Sequence, residues 1–389
     1  MDSRFSILQE AHPAAQKGYL QLIDYFPEAS ILHYNLGLLR FEIKEYSKAV
    51  QSFHAAAEGN PADSDILFNL ALSLKKIGDI EAAIKMYYKV LQLEPKSIDA
   101  LYNLAGCYRE EKRYDEAIEF YLKVIELDGN HVSASNNLAF VYQVQGDTEK
   151  AIQCFNKVLE LHPDHEGAGH MLAALSGTKV SSSSDVYVKE VFDSYSGHYE
   201  KSLVVELEYA VPEQIKSIVV EGENWKKTFQ HGLDLGCGTG LSGESFCDVV
   251  ERLDGVDLAP KMVEIAHEKN IYGALYISGI NEFMEVEVGP FDFVLAADVF
   301  AYLGDLNDTL TCVHTRTTED VLFCFSTETI SGSDYMLRPT GRFGHSVVYI
   351  ENIASQTGWK VLTKHRAPLR KEKGIWIEGN LWFMGKDKF

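Results

Sequence analysis

Apolar positions in the first 165 residues recur every 34. Leu36, Leu70, Leu104 and Leu138 fall in step, as do Gly37, Ala71, Ala105 and Ala139, then Ala49, Ala83, Ala117 and Ala151, and then Phe53, Tyr87, Tyr121 and Phe155. A fixed period of this length predicts an array of similar structural units. Residues 181–184 are a run of serine with nothing to bury, which predicts a junction between domains. Beyond it the pattern changes. Apolar runs of strand length at 232–235, 253–256, 291–296 and 321–325 alternate with helical stretches such as 260–269, predicting a parallel sheet covered by helices on both faces.

The repeat, closed by Pro61, Pro95 and Pro163 with Gly129 in the remaining place, resembles the tetratricopeptide repeat. In that family small residues let two antiparallel helices approach, and a proline stops the second. The resemblance implies repeats at 30–63, 64–97, 98–131 and 132–165, a partial one before them around Ala15, Tyr19, Leu22 and Pro27, and a capping helix over 164–175. Asn35, Asn69, Asn103 and Asn137 recur on the helix that lines the concave groove in this family. They look like the asparagine ladder of the O-linked N-acetylglucosamine transferase, where amides hold an extended peptide backbone. The other reading has each amide satisfying backbone groups inside the array. The groove positions Tyr34, Leu38, Asp65 and Asp99 lack the lysines of chaperone-tail receptors, which counts against that class.

In the second half Leu233-Asp234-Leu235-Gly236-Cys237-Gly238-Thr239-Gly240 is an apolar strand entering a glycine bend. Glycine permits positive φ and removes the Cβ that would hold a ligand away from the backbone. A second strand ends at Asp257, 21 residues after Gly236, and Phe291 to Asp298 reads as the fourth. Together these elements resemble class I S-adenosylmethionine-dependent methyltransferases. The resemblance implies a doubly wound, Rossmann-like domain at 187–389, joined through a linker at 178–186 to a tetratricopeptide α-solenoid at 1–177. It also implies S-adenosylmethionine as cofactor, with Asp234 meeting its ammonium group and Gly236, Cys237, Gly238 and Gly240 lying against it. Asp257 takes the ribose, and Leu258, Met262, Ile280, Asn281 and Asp298 complete the site. Tyr195 and Tyr199 either close over the cofactor or pack on a neighbouring helix. Gly238 to Gly243 also spells a dinucleotide fingerprint, but Gly236 and Cys237 separate it from the strand, against the register that fingerprint needs. The acid usual after the third strand is replaced near Gly279, leaving Asn281 as the nearest substitute and predicting weaker cofactor binding.

Further segments, among them Phe192-Asp193-Ser194-Tyr195, Tyr302 to Leu306, Phe325 to Glu328 and Gly341 to Ser346, resemble a group of predicted methyltransferases with tetratricopeptide repeats. Methyl transfer is an in-line displacement, so positioning supplies most of the rate. Where a proton must leave, His345 is the candidate base, with Arg342 orienting an anionic group and Glu328 an amine or hydroxyl. No Asn/Asp-Pro-Pro-aromatic motif follows the fourth strand, and there is no Pro-Cys pair. Both absences count against the commoner base and amide methylations. The net charge of −21 counts against nucleic acid and anionic membranes unless a local patch overrides it. Lys360, Lys364, Arg366, Arg370, Lys371 and Lys373 read as a solvated basic face. Six cysteines without metal or disulfide spacing suggest a reducing compartment, and with no leader-like start or membrane-length apolar run a cytoplasmic or nuclear location is expected. No metal site is expected. The sequence thus predicts a methyltransferase acting on a protein or small molecule, with repeats that bind protein. The alternative is a weak or inactive scaffold acting through the repeats.

Overall fold

The computed structural model describes residues 3–195, 200–223, 225–286, 289–372 and 374–386. The chain divides into two compact units, the first ending at Asp164 and the second beginning at His165.

The first unit is helical throughout: α1 (Ser3–Tyr25), α2 (Ser30–Glu42), α3 (Tyr46–Gly59), α4 (Ser64–Lys76), α5 (Ile80–Leu93), α6 (Ile98–Glu110), α7 (Tyr114–Leu127), α8 (Val132–Gln145) and α9 (Thr148–Leu161). Its period has a direct packing cause. Ala49, Ala83, Ala117 and Ala151 are fully buried, and so are Phe53, Tyr87 and Tyr121. A Cβ on Gly37 would lie 2.6 Å from the Phe53 ring, so the first repeat needs glycine where the others carry alanine. Helix starts are set locally: the carboxylates of Asp63, Asp79 and Asp147 accept backbone N–H groups of the helices they precede.

The second unit comprises α10 (Glu166–Ser176), α11 (Asp185–Tyr195), α12 (Val211–Glu221), β1 (Phe229–Leu235), α13 (Leu241–Phe246), β2 (Val250–Asp257), α14 (Pro260–Glu268), β3 (Ala274–Ile277), α15 (Ile280–Glu285), β4 (Phe291–Ala296), α16 (Asn307–Thr315), β5 (Thr317–Thr329), β6 (Tyr335–Leu337), β7 (Phe343–His345), α17 (Val347–Gln356), β8 (Lys360–Glu372) and β9 (Ile375–Gly385). Strands β3-β2-β1-β4-β5 run parallel in that order, so strand order reverses between β1 and β4. The central strands are apolar without alternation because both faces are covered. Leu233, Val294, Phe323 and Phe325 join the core on one face, while Phe293, Leu295, Leu322 and Cys324 join the core on the other.

Three features depart from the expected plan. The helix expected to cap the repeats, α10, belongs to the second unit. Its Ala174 packs with Leu337 and Phe343 of the β6–β7 hairpin, and His170 Nε2 pairs with the Gly341 carbonyl at 2.9 Å. Beyond β5 the sheet turns antiparallel, with β9 beside β5 and β8 beside β9. Finally, the basic stretch is not uniformly a solvated face. A register shift between Pro368 and Arg370 puts two adjacent residues, Leu369 and Arg370, inside, so Arg370 is 2% exposed while Lys364 and Arg366 stay at the surface. Lys373 lies outside the described residues.

Candidate functional site

At the carboxyl ends of β1, β2 and β4 lies a cavity of about 690 Å³, in the crevice where an open α/β sheet takes its ligands. The bend after β1 forms one wall. Gly236, Gly238 and Gly240 have φ of +67°, +53° and +94°. A Cβ on Gly236 would strike Val299 at 2.5 Å, whereas one on Gly238 would meet nothing within 4 Å. Gly238 therefore leaves its backbone open to the cavity it lines. Asp257 closes β2 and is locked by backbone donors, its Oδ2 accepting from Gly238 N at 2.9 Å and its Oδ1 from Ala259 N at 2.8 Å. Asp234 is fully buried; Tyr272 donates to its Oδ2 at 2.7 Å, and Oδ1 has no partner among the described residues. Burial pushes its carboxyl up to about 7. An orphaned buried carboxylate oxygen and an open gap over a glycine fit a cofactor that brings an ammonium group and a nucleoside.

Leu258, Ile280, Asn281 and Asp298 also line this cavity. Four expected cofactor contacts among the described residues do not: Asp234, buried behind the bend, and Cys237, Gly240 and Met262. The Cys237 side chain is buried and its thiol is pushed well up by burial. Gly240 faces Tyr272, Lys269 and Ile271, and Met262 is 1% exposed in the layer beneath. Asn281 accepts a hydrogen bond from Thr309 at 2.8 Å. Acids nonetheless stand near Gly279: Asp185 Oδ2 lies 3.4 Å from where a Gly279 Cβ would be, and Glu282 lines the same cavity. No spacing rule links Asp185 to the third strand, so sequence reasoning did not place it there. Tyr199 lies outside the described residues, as does the Tyr195 side chain.

The opposite wall is an ionic network. Asp298, with φ of +60°, sits at the turn after β4, a strained backbone of the kind found at functional sites. Its Oδ1 accepts from Arg342 at 2.7 Å and Arg370 at 3.2 Å, and Arg342 also donates to the Tyr302 hydroxyl at 2.9 Å. Glu328, expected to position an acceptor, is 1% exposed and takes up Arg338, Arg342 at 2.8 Å and Arg370 at 2.5 Å. Burial alone would raise its carboxyl, but Arg342 and Arg370 outweigh it and hold it at about 2. Glu328 thus orients the arginines and is not among the residues that line the cavity.

His345 is not the base. It is 1% exposed, its Nε2 pairs with the Gly304 carbonyl at 3.0 Å, and burial pulls its imidazole down to about 4. An unfolded histidine titrates near ~6.5, so the unfolded chain takes up a proton that the folded chain refuses. The resulting stability is complete above that value and is lost as pH falls toward 4, at about 1.4 kcal/mol per pH unit. In His345→Gln, the urea midpoint is expected to fall less steeply between pH 7 and 4.5 than in the wild type. An unchanged slope would remove this account.

The serine run also departs from expectation, because it forms a wall and not a free linker. Gly304 N and Asp305 N donate to Ser181 O at 2.9 and 2.8 Å, and Ser183 N donates to Tyr302 O at 2.9 Å. In the repeats, Asn69 Nδ2 donates to Asp65 O at 2.8 Å and Asn103 Nδ2 to Asp99 O at 2.9 Å. Asn137 is occupied at both ends, donating to Tyr102 at 3.0 Å and accepting from Arg109 at 2.8 Å, whereas Asn35 makes no side-chain bond among the described residues.

Family models for the tetratricopeptide repeat match residues 9–64, 74–131 and 132–165, and a model for a methyltransferase domain matches residues 233–319. The chain thus carries tetratricopeptide repeats followed by a methyltransferase domain. It is similar to the 18S rRNA (guanine-N(7))-methyltransferase of Bos taurus, 29% identical over 19% of this chain and 27% of that one. The corresponding protein RID2 of Arabidopsis thaliana is 26% identical over 26% of this chain and 35% of its own. The chain spans roughly a quarter to a third of the length of these curated relatives. Among solved structures, magnesium protoporphyrin IX methyltransferase from Synechocystis PCC 6803 aligns with 52% of this chain and 97% of its own at 12% identity and a TM-score of 0.41. The expectation against nucleic acid finds no support in relatives named for an RNA substrate, since overall charge says little about a local contact.

Proposed function

We propose that the second unit transfers a methyl group from S-adenosylmethionine to an acceptor held against Asp298 and Arg342, and that the repeats bind a protein partner. The observation that carries this reading is the open gap over Gly238 beside the backbone-locked Asp257. S-adenosylmethionine supplies an electrophilic methyl. The chain's own residues hold it: Gly236 and Gly238 lie against it, Asp257 takes the ribose, Asp234 the ammonium, and Asp185 or Glu282 the adenine edge. Nothing at the bend favours an inactive scaffold. The family model ends at residue 319, before Glu328, Arg342 and Arg370, so that match bears on donor binding more than on the acceptor.

Calorimetric titration with S-adenosylmethionine tests the reading, and absence of binding heat would defeat it. The titration also has a proton signature. With the Asp234 carboxyl at about 7, an incoming ammonium ionises it, so binding at pH 6 is expected to release up to one proton. The observed heat then differs between buffers of unlike ionisation enthalpy, and Asp234→Asn removes the difference. Heat independent of buffer in the wild type would exclude Asp234 from the ammonium site.

A further inference from the structure

Two polar atoms in the cavity wall have no use inside the protein. Ser183 is 5% exposed, lines the cavity, and its Oγ has no hydrogen-bond partner among the described residues. Its backbone N–H donates to the Tyr302 carbonyl at 2.9 Å, which fixes its backbone in the wall. Asp298 is the second: Oδ1 holds both arginines, and Oδ2 has no partner among the described residues. A buried hydroxyl left unsatisfied is costly, and so is a strained turn, and both costs fall on one wall.

The charges on that wall limit what fits. Arg342 and Arg370 are already claimed by Asp298 and Glu328, with Glu372 also on Arg370. The other ionisable side chains lining the cavity include Asp185, Glu282, Asp305 and Asp308, all acids. An anionic acceptor would meet arginines with their charge already balanced and carboxylates that repel it. A nitrogen that gains positive charge meets the opposite situation.

The geometry points to an amine as the methyl acceptor, bound by Ser183 Oγ and Asp298 Oδ2; this rests on the methyl transfer proposed above. The nitrogen lone pair forms the N–C bond as the C–S bond breaks, and its electron pair stays on sulfur as a neutral thioether. The positive charge passes to the methylated nitrogen, whose proton leaves to solvent. Asp298 Oδ2 faces that charge as it develops, and Ser183 accepts a second N–H.

The test uses the full chain, tritiated S-adenosylmethionine and extract of the cells the protein comes from. Label is expected in an alkali-stable form recovered as an N-methylamine after acid hydrolysis. Ser183→Ala is expected to lower transfer about tenfold, with melting temperature and S-adenosylmethionine affinity unchanged. A merely structural serine without a partner would leave transfer intact on removal. Asp298→Asn is expected to lower transfer about a hundredfold. Label released by alkali as methanol, label confined to RNA, full transfer by Ser183→Ala, or cofactor binding with no labelled amine would each overturn the amine assignment alone. A wild-type chain that binds no S-adenosylmethionine would instead bring down the methyltransferase reading and the assignment with it.

Discussion

Arg370→Leu is expected to lower the melting temperature of the second unit by roughly 6–20 °C, which corresponds to about 3–5 kcal/mol. Arg370 and Glu328 are 2% and 1% exposed, and Arg370 donates to Glu328, Asp298 and Glu372. Desolvating such ions costs as much as their attraction returns, so the intact network adds little stability over an apolar core. Removing one partner is another matter. Glu328 then keeps only Arg338 and Arg342, and Asp298 only Arg342, in an interior that cannot hydrate them. The damage is expected to ease at low pH, because Glu328 without Arg370 regains its proton well above the value of about 2 that it has in the intact protein. Scanning calorimetry at pH 7.5 and pH 4.5 reads both effects. A loss below about 1 kcal/mol would mean that water reaches the network.

Gly238→Ala is expected to weaken S-adenosylmethionine binding roughly 5- to 150-fold, through about 1–3 kcal/mol of overpacking. The new Cβ meets no protein atom within 4 Å, so the chain accommodates it except for the cost of a left-handed residue at φ of +53°. That cost is shared by a control, Gly374→Ala, whose φ is +78° and whose Cβ also meets nothing. The control is expected to lose similar stability and keep its affinity. Equal cofactor affinity in the two variants would show that the gap over Gly238 is not where the cofactor lies.

The repeats were legible because their packing is local and recurs: a small residue at Ala83 and a large one at Tyr87 serve the same contact as Ala117 and Tyr121 one period later. The donor wall was legible for a similar reason, since Gly236, Gly238 and Asp257 follow consecutive strands directly. The acceptor wall was not. Ser183, Asp298, Arg342 and Arg370 come from four separate segments, joined only once the sheet is formed. His345 misled because an imidazole's usual titration range was taken without its burial. The serine run misled because polarity suggested a free linker, although its backbone pairs with Leu303 through Ser182.

In β8 the pairing with β9 slips between Pro368 and Arg370. The ribbon therefore delivers Leu369 to the oil-like interior and Arg370 to the ionic one without a change of direction. Its length is fixed by this arrangement as firmly as its composition. Losing one residue ahead of the slip would bring Lys371 to the inner position, where a flexible ammonium cannot span two carboxylates as a planar fork does.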